Sequence, residues 1–542
     1  MTKQIAEYWM APELASRYHM YRDEKCTVWC IGVMAYAEEE DDDAVLYDVL
    51  QIAHLALENA LDFNKLYGFY KIVVLDLLSD TTMFWGDNAG SCRFYYHLQE
   101  GCVADTLPLC TEMLQGDIHP CYEAIYQYFS MGRTLDDQTI VDGIRMTSQR
   151  DIYVRKGNVI RLISKQLAPY QALDPHFTLE KLMRMMRDGI KGKPVMAVIT
   201  GGTDSRCILS HLAALEVVPQ LTISGREASN DVRIARKIAE QCGLPLHVYD
   251  PNQKETSWIH KAFAFSNGVY DVVLSYRHLK RAEHCLETGA EYEFGGVGGE
   301  FYKNCFCLPF RHAQWFRKLT AKDIVTKTIG SKLMGASWYG PNIMSAKNML
   351  YDHLINIQSQ NMESGFLRNY NKFGEIMLAG TFCNVTVILL PYCTKIDPLM
   401  DRNLIASVCW KNPLSLSMAR WQRKEIHAHC PALSDIETDL GYSCSVREIT
   451  ILRESLRKLQ KYAQVAVNKV QRMIKKGQKS EATVWEQDYL DAKVLPEYER
   501  AVLVCKELGI IGQQIAPESL PTNQVGFVLM VGMFFDKYHV TQ

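Results

Sequence analysis

The sequence predicts a chain of mixed α/β and α+β class in two parts, residues 1–165 and 178–542. Between Thr27 and Ile163, apolar runs of strand length recur around short turns, with two stretches of helical pattern, as in an α+β sandwich. From Val195 onward, apolar strands alternate with amphipathic helical segments, the rhythm of a parallel sheet. Two glycine-rich turns, at Gly201-Gly202 and from Gly295 to Gly299, each follow such a strand, and ligands of open parallel sheets gather at the carboxyl ends of the strands.

In the first part, Thr27 to Tyr36 reads as a strand, Glu38 to Asp43 as a solvated acidic loop and Val45 to Leu57 as a helix. Phe69 to Leu77 and Thr82 to Trp85 read as strands around a turn at Ser79-Asp80. Tyr122 to Met131 has helical spacing, and Ile152 to Ile163 reads as a hairpin through Lys156-Gly157-Asn158. Cys26 and Cys30 read as strand-core thiols. Residues 166–177, with Pro169 and Pro175, form the linker. Thr178 then caps a helix with Leu179, Leu182, Met183, Met186 and Ile190 on one face.

Val195 to Ile199 is a continuous apolar run, followed by Thr200-Gly201-Gly202-Thr203-Asp204-Ser205. From Arg206 on, Ile208, Leu209, Leu212 and Leu215 fall at helical spacing, so the stretch reads strand, tight turn, helix. The glycines allow an approach that a Cβ would block. The turn aims N–H groups, hydroxyls and a helix N-terminus at one point, which suits an anion. Asp204 fits there if a Mg2+ rides with a nucleotide polyphosphate. The lysine of a GxxxxGK[ST] phosphate loop is absent. Gln220 to Ser224, Asp231 to Cys242 and Leu246 to Tyr249 continue the strand–helix alternation, which brings Ser224, Gly225 and Asp231 to the same edge, Asp231 as a helix cap.

The second turn, Gly295-Gly296-Val297-Gly298-Gly299, is followed by Glu300. Four glycines in five positions carry an entropic penalty that core packing does not require. Asp204 and Glu300 then arrive from two strand ends on the same sheet edge. Residues 305–390 read as helices and loops, with Trp315, Phe316, Trp338 and Tyr339 as core packing or an acceptor-pocket wall. His427, His429 and Cys430 do not converge at helical spacing and lack a fourth ligand, so no metal site is expected there. Ile449 to Lys479 reads as a basic amphipathic helix with a solvated face.

Bulk properties bound the remainder. At 542 residues the chain exceeds the roughly 150 residues of a typical domain several times over. A formal net charge of -3 provides no basic field for nucleic acid. The 17 cysteines are scattered, and neither close pair, Cys26/Cys30 or Cys305/Cys307, belongs to a four-ligand zinc spacing. MTKQIAEYWMAPE lacks the basic and apolar regions of a signal peptide, so free thiols in a cytoplasmic setting are expected. Val525 to Phe535 is too short to cross a bilayer and reads as a buried helix, so no membrane span is expected.

These landmarks resemble, in order, those of the asparagine synthetase family. Leu66-Tyr67-Gly68-Phe69, Asp87-x-x-Gly90 with Phe94-Tyr95-Tyr96, Gly132 with Thr139 and Ile144, and Lys156-Gly157-Asn158 resemble its glutaminase-type domain. Thr200 to Ser205 resembles the pyrophosphatase loop, Ser/Thr-Gly-Gly-x-Asp-Ser. Gly295 to Glu300 resembles Gly-Glu-Gly-x-Asp-Glu, and Pro398-Leu399-Met400-Asp401 resembles Pro-Phe-Leu-Asp. The resemblance implies a degenerate glutaminase-like (Ntn) αββα sandwich at 1–165, then a parallel-sheet PP-loop (HUP-like) synthetase domain at 178–542 with a helical C-terminal part. It implies ATP and Mg2+ as cofactors. Thr200, Gly201, Gly202, Thr203, Asp204, Ser205, Arg206, Ser224, Gly225, Gly296, Gly298 and Gly299 would bind the nucleotide. Asp204 and Glu300 would share the metal, and Asp204, Glu300 and Tyr302 would be catalytic.

Three departures from the family shape the expected activity. Position 2 is Thr2 rather than the nucleophilic cysteine, so glutaminase activity is not expected. Val297 stands where the family has Glu and β-lactam synthetases a Tyr, so the proton acceptor would be Tyr302 or the substrate. Glu437-Thr438-Asp439-Leu440-Gly441-Tyr442 lacks the lysine of Arg-x-Lys-x-Gly-Phe; Arg423 and Lys424, the candidate stand-ins for it, read as surface charges on a helix. The implied activity is an ATP-dependent, AMP-forming carbon–nitrogen ligase. It would join a small-molecule or peptide carboxylate to an amine, on the same or a second substrate, as in β-lactam synthetases and lasso-peptide cyclases. The alternatives are a glutamine-dependent amidotransferase of a biosynthetic or surface-glycan pathway, a tRNA-thiolating or other adenylating enzyme, and a catalytically degenerate nucleotide-binding partner. A homodimer and a biosynthetic partner protein are both open as assemblies.

Overall fold

The computed structural model describes residues 9–37, 45–46, 48–134, 137–250, 254–303, 320–329, 336–360, 384–409, 416–438, 441–447, 449, 452–453, 456 and 484–538. Its strands are β1 (His19–Arg22), β2 (Cys26–Ala37), β3 (Val45–Leu46), β4 (Leu66–Asp76), β5 (Thr81–Gly86), β6 (Tyr95–His97), β7 (Cys102–Ala104), β8 (Ile144–Met146), β9 (Asp151–Lys156), β10 (Val159–Ser164), β11 (Val195–Val198), β12 (Gln220–Ser224), β13 (Leu246–Tyr249), β14 (Tyr292–Phe294) and β15 (Thr394–Ile396). They form a seven-stranded antiparallel sheet ordered β1-β2-β4-β5-β9-β10 with β3 on β2, a three-stranded antiparallel sheet β7-β6-β8, and a five-stranded parallel sheet β13-β12-β11-β14-β15.

The pleat of β2 builds the first part. Cys26, Val28, Cys30 and Met34 face Ile52, Ala53 and Ala56 of the helix Val49–Leu57. Trp29 and Ile31 face the other way, onto Trp9, Tyr18, Phe94, Tyr96 and Val103. Beyond the small sheet, Tyr95, Cys102 and Ala104 pack on Ile125, Tyr126 and Phe129 of the helix Tyr122–Met131. The layering is therefore helix, sheet, sheet, helix. The helix expected from Val45 begins only at Val49, because Val45–Leu46 pairs with β2 and the Asp48 carboxylate caps the N–H groups of Leu50 and Gln51 (2.9 and 3.3 Å). The acidic loop from Glu38 to Asp43, Thr2, the Cys305/Cys307 pair, Trp315 and Phe316 lie outside the described residues, as does nearly all of the stretch from Ile449 to Lys479.

In the parallel sheet the chain runs outward from β11 to β12 and β13, then returns across β11 to β14 and β15. The order thus reverses between β11 and β14, the point where such sheets open a crevice. Asp204–Ala214 and Asn230–Cys242 are the first two crossover helices, and Trp258–Ser266 and Val272–Thr288 carry the chain back. The latter two share a core with Pro496–Glu507, Val525–Lys537 and the helix Tyr122–Met131. A second core joins Val33 and Phe69 of the antiparallel sheet to Leu182, Met186 and Ile199, across the segment expected as a linker. In that segment Arg402 donates to the Ala168 carbonyl and covers the Tyr170 ring at 5.4 Å. Among the described residues, no helix is long and apolar enough to cross a membrane.

Candidate active site

The turn after β11 is held largely by its own hydroxyls. Ser205 Oγ accepts from the Thr200 N–H and lies 3.1 Å from Thr200 Oγ1, which in turn accepts from the Gly202 N–H (3.2 Å). Gly201 N–H donates to Asp231 Oδ1 (3.0 Å). Asp231 is not the expected helix cap; Ser229 accepts from Val232 N–H and caps that helix instead. Three backbone donors expected to face a phosphate, those of Thr200, Gly201 and Gly202, are therefore bonded within the protein.

The turn after β14 sits directly on this loop. A methyl group at Gly296 would lie 2.6 Å from Ser205 N and 2.9 Å from Asp204 Cβ, and one at Gly299 would overlap the Asp204 carboxylate. Gly298 adopts φ +90° and, with Gly299 and Glu300, accepts the N–H groups of Phe301, Tyr302 and Lys303 in one 3-10 turn. That turn delivers Lys303, whose Nζ lies 2.6 Å from Asp204 Oδ2. Gln422, on the helix Arg420–His429, donates both to Asp204 Oδ1 and to the Gly299 carbonyl (3.1 Å each). Burial raises the pKa of the Glu300 carboxyl, and the negative charges of Asp204 and Asp397 raise it further, while Lys303 opposes them. Asp397 follows β15, pairs with Lys395 and accepts from the Val297 N–H (3.3 Å).

Other expected site residues are placed differently. Arg206 is fully buried and donates to the carbonyls of Leu433, Ile436 and Glu437 (3.2, 2.6 and 3.0 Å), so it straps that segment to the loop instead of facing a ligand. Tyr302 is buried, donates to the Leu399 carbonyl (3.1 Å) and packs against Trp421 with ring centroids 4.4 Å apart and planes 31° apart. Arg423, expected at the surface, is buried and donates to the carbonyls of Met418, Ser443 and Ser445. A buried guanidinium satisfied by carbonyls cannot be distinguished locally from an exposed one. Thr203 is buried beside Asp204. Ser224 is exposed at the end of β12, and Gly225 bonds to the Tyr249 carbonyl (2.9 Å) with a helix start pressed against it.

Lys303, Gln422 and Asp397 were not expected from the sequence. Lys303 lies one 3-10 turn after Glu300, and Asp397 is a charged residue in the otherwise apolar run after β15, the only local signals for either. Two adjoining cavities of about 490 and 540 Å3, both lined by Glu13, Ala264 and Asn267, include no residue of either glycine turn. No protein-family model matches the chain, and no curated protein matches it.

Proposed function

We propose that the chain is an ATP-dependent, AMP-forming amide synthetase of asparagine synthetase-like architecture, with the crevice between β11 and β14 as its adenylation site. The observation that carries this reading is the interlock of the two glycine turns, which brings Asp204 together with the Glu300 turn where the strand order reverses. The helix–sheet–sheet–helix layering supports a glutaminase-like sandwich for the first part.

In the proposed reaction a substrate carboxylate oxygen attacks the α-phosphorus of ATP. The bond to the bridging α,β-oxygen breaks and pyrophosphate leaves. An amine then attacks the acyl carbon, and AMP departs with the carbon–oxygen electron pair. Asp204 and Glu300 offer the hard oxygen donors that Mg2+ takes, and the mutual repulsion that raises Glu300 is what a divalent cation relieves. When bound, the ion would neutralise charge developing on the pyrophosphate. Lys303 is placed to share that work from the protein side, and Gln422 orients Asp204. Val297 cannot accept a proton and Tyr302 is committed to Leu399, so the acceptor for the amine proton is a group of the substrate.

The test is exchange of labelled pyrophosphate into ATP across a panel of carboxylic acids, amino acids and peptides. Exchange that needs a particular carboxylate, and is lost in a folded Asp204→Ala variant, is the expected outcome. A protein that neither exchanges with any carboxylate nor binds ATP in calorimetry overturns the reading. One observation favours a second reading, a nucleotide-binding partner without turnover: Lys303 already neutralises Asp204, and three loop amides are bonded internally. ATP binding with no exchange on any carboxylate selects it.

A further inference from the structure

The helix that begins at Asp204 and the helix that carries Gln422 meet again at His211, about two turns past Asp204, and Glu425, about one turn past Gln422. His211 is 1% exposed, and its Nε2 lies 3.1 Å from Glu425 Oε2. His429, one turn beyond Glu425, lays its ring on that of His211 with centroids 3.9 Å apart and planes 34° apart. His429 Nδ1 is 2.9 Å from the Glu425 carbonyl. A carbonyl only accepts, so Nδ1 carries a proton and Nε2 is the nitrogen turned away from that bond. This is the arrangement of a metal-ligating histidine, whose second nitrogen donates to a backbone carbonyl. That Nε2 lies 3.6 Å from Oε2 of Glu180, on the first turn of the helix Leu179–Ile190. Oε1 of Glu180 is held by Arg184 in an exposed pair (2.5 Å) that a metal must compete with. One ligand atom from each of His211, Glu425 and His429 falls within 4.8 Å of the other two.

We infer that His211, Glu425 and His429, completed by Glu180, form a binding site for a zinc-class divalent transition metal that staples the helix bearing Asp204 to the helix bearing Gln422. Two imidazole nitrogens and two carboxylate oxygens make a borderline donor set of four, which suits zinc and not the six or more oxygens that Mg2+ or Ca2+ requires. From the sequence, His427, His429 and Cys430 do not converge at helical spacing, and no metal site is expected among them. In the structure His427 is exposed and the Cys430 thiol acts on Cys242, whereas the partner of His429 comes from residue 211. Two other close groups of ligand-type side chains among the described residues are less suited. Glu293, beside Cys285 and Cys393, is paired with Arg281 (2.7 Å), and burial holds the Cys26 thiol, beside Asp23 and His54, protonated by pushing its pKa to about 12.

This inference does not depend on ATP chemistry, and its test needs none. Untagged full-length protein stripped with EDTA is titrated with Zn2+ by calorimetry, and X-ray absorption is recorded on the zinc-loaded protein. The expected result is one tightly bound zinc per chain, imidazole scattering from two histidines, and a raised melting temperature. His429→Gln and Glu425→Gln, at partly exposed positions, lose that equivalent and the melting shift while keeping the apo circular dichroism spectrum. Glu180→Gln, at the exposed edge, weakens the site without removing it. No binding tighter than millimolar, an equivalent retained in both His429→Gln and Glu425→Gln, or a zinc spectrum without imidazole overturns the site; the spectrum decides on wild-type protein even where a variant fails to fold.

Discussion

The antiparallel sandwich and the parallel sheet both gather charge, and they treat it in opposite ways. Between the two antiparallel sheets, Lys71 and Asp105 lie 2.7 Å apart with side chains 1% and 0% exposed. Asp105 also accepts from the Tyr18 hydroxyl (2.7 Å) and the Ala11 N–H (3.2 Å), and Trp9 packs edge-on against Tyr18, Trp29, Phe84 and Phe94. The chain's own segment from Trp9 to Tyr18 thus closes the layer. At the end of the parallel sheet, Lys303 and Asp204 keep 26% and 23% of their side-chain exposure, and glycines stand where side chains would fill the space. A charge pair sealed by its own fold is structural. One left partly wet among glycines is where a ligand can still compete for it.

The largest expected effect tests the sealed half. Asp105→Ala strands the Lys71 ammonium in an apolar layer, and loss of a buried partner destabilises by about 3–5 kcal/mol. Urea unfolding measures it. A loss no larger than the ~1 kcal/mol of an exposed pair would erase the contrast between the two regions.

The next effect tests the other half. A methyl at position 296 meets backbone, 2.6 Å from Ser205 N and 2.8 Å from Asp204 C, so one turn must move off the other. Overpacking of this kind destabilises by about 1–3 kcal/mol. Gly296→Ala is expected to do so and also to weaken ATP binding by more than tenfold, read by calorimetry, at ~1.4 kcal/mol per tenfold. Gly116→Ala, where a Cβ meets nothing within 4 Å, is the control and should change neither. Full ATP affinity in Gly296→Ala would mean that the interlock does not shape a nucleotide site.

What the sequence made legible follows the same division. β2, β4 and β11 declare themselves through largely apolar runs, β12 through Leu221 and Ile223 alternating with polar neighbours, and the two glycine turns through a purely local demand on the backbone. β15 does not, because Thr394-Lys395-Ile396 places a lysine mid-strand whose neutralisation by Asp397 is visible only after folding. Gln422 was hidden for a similar reason: its partner Asp204 is 218 residues away. Arg206 was expected on a nucleotide and Arg423 at the surface, yet both are buried against backbone carbonyls, Arg206 by a segment some 230 residues on and Arg423 by Met418, Ser443 and Ser445.

A pH-dependent effect refines the comparison at Asp401, which lies beside the parallel sheet but is sealed like Asp105. Its Oδ1 accepts from the N–H groups of Asn403 and Leu404 (2.9 and 3.1 Å), yet burial pushes the carboxyl up from 3.8 to about 6. The folded protein therefore binds this proton more tightly than the unfolded chain. The stability it contributes is complete below pH 3.8 and is lost as pH rises through about 6. Asp401→Asn keeps the capping oxygen and removes the titration. The stability difference, variant minus wild type, should rise between pH 4 and 7 and level off above. A difference that stays flat across that range would show that the cap, and not burial, governs this carboxyl.

The smallest effect is expected at the rim of the same strap that Arg206 holds. Glu437 offers its carbonyl to Arg206 and its carboxylate to Arg233 (2.7 Å) and Lys237 (3.0 Å), both on the exposed face of the helix Asn230–Cys242. The two cations lower the pKa of the Glu437 carboxyl, but all three side chains stand in solvent, where long side chains lose entropy on pairing and salt screens the attraction. Glu437→Gln should therefore leave the urea midpoint close to that of wild type, with any remaining difference abolished by salt. The backbone bond from Arg206 is untouched by this change. A large, salt-insensitive loss in Glu437→Gln would place the carboxylate, and not the buried guanidinium, in charge of holding residues 433–437 over the loop.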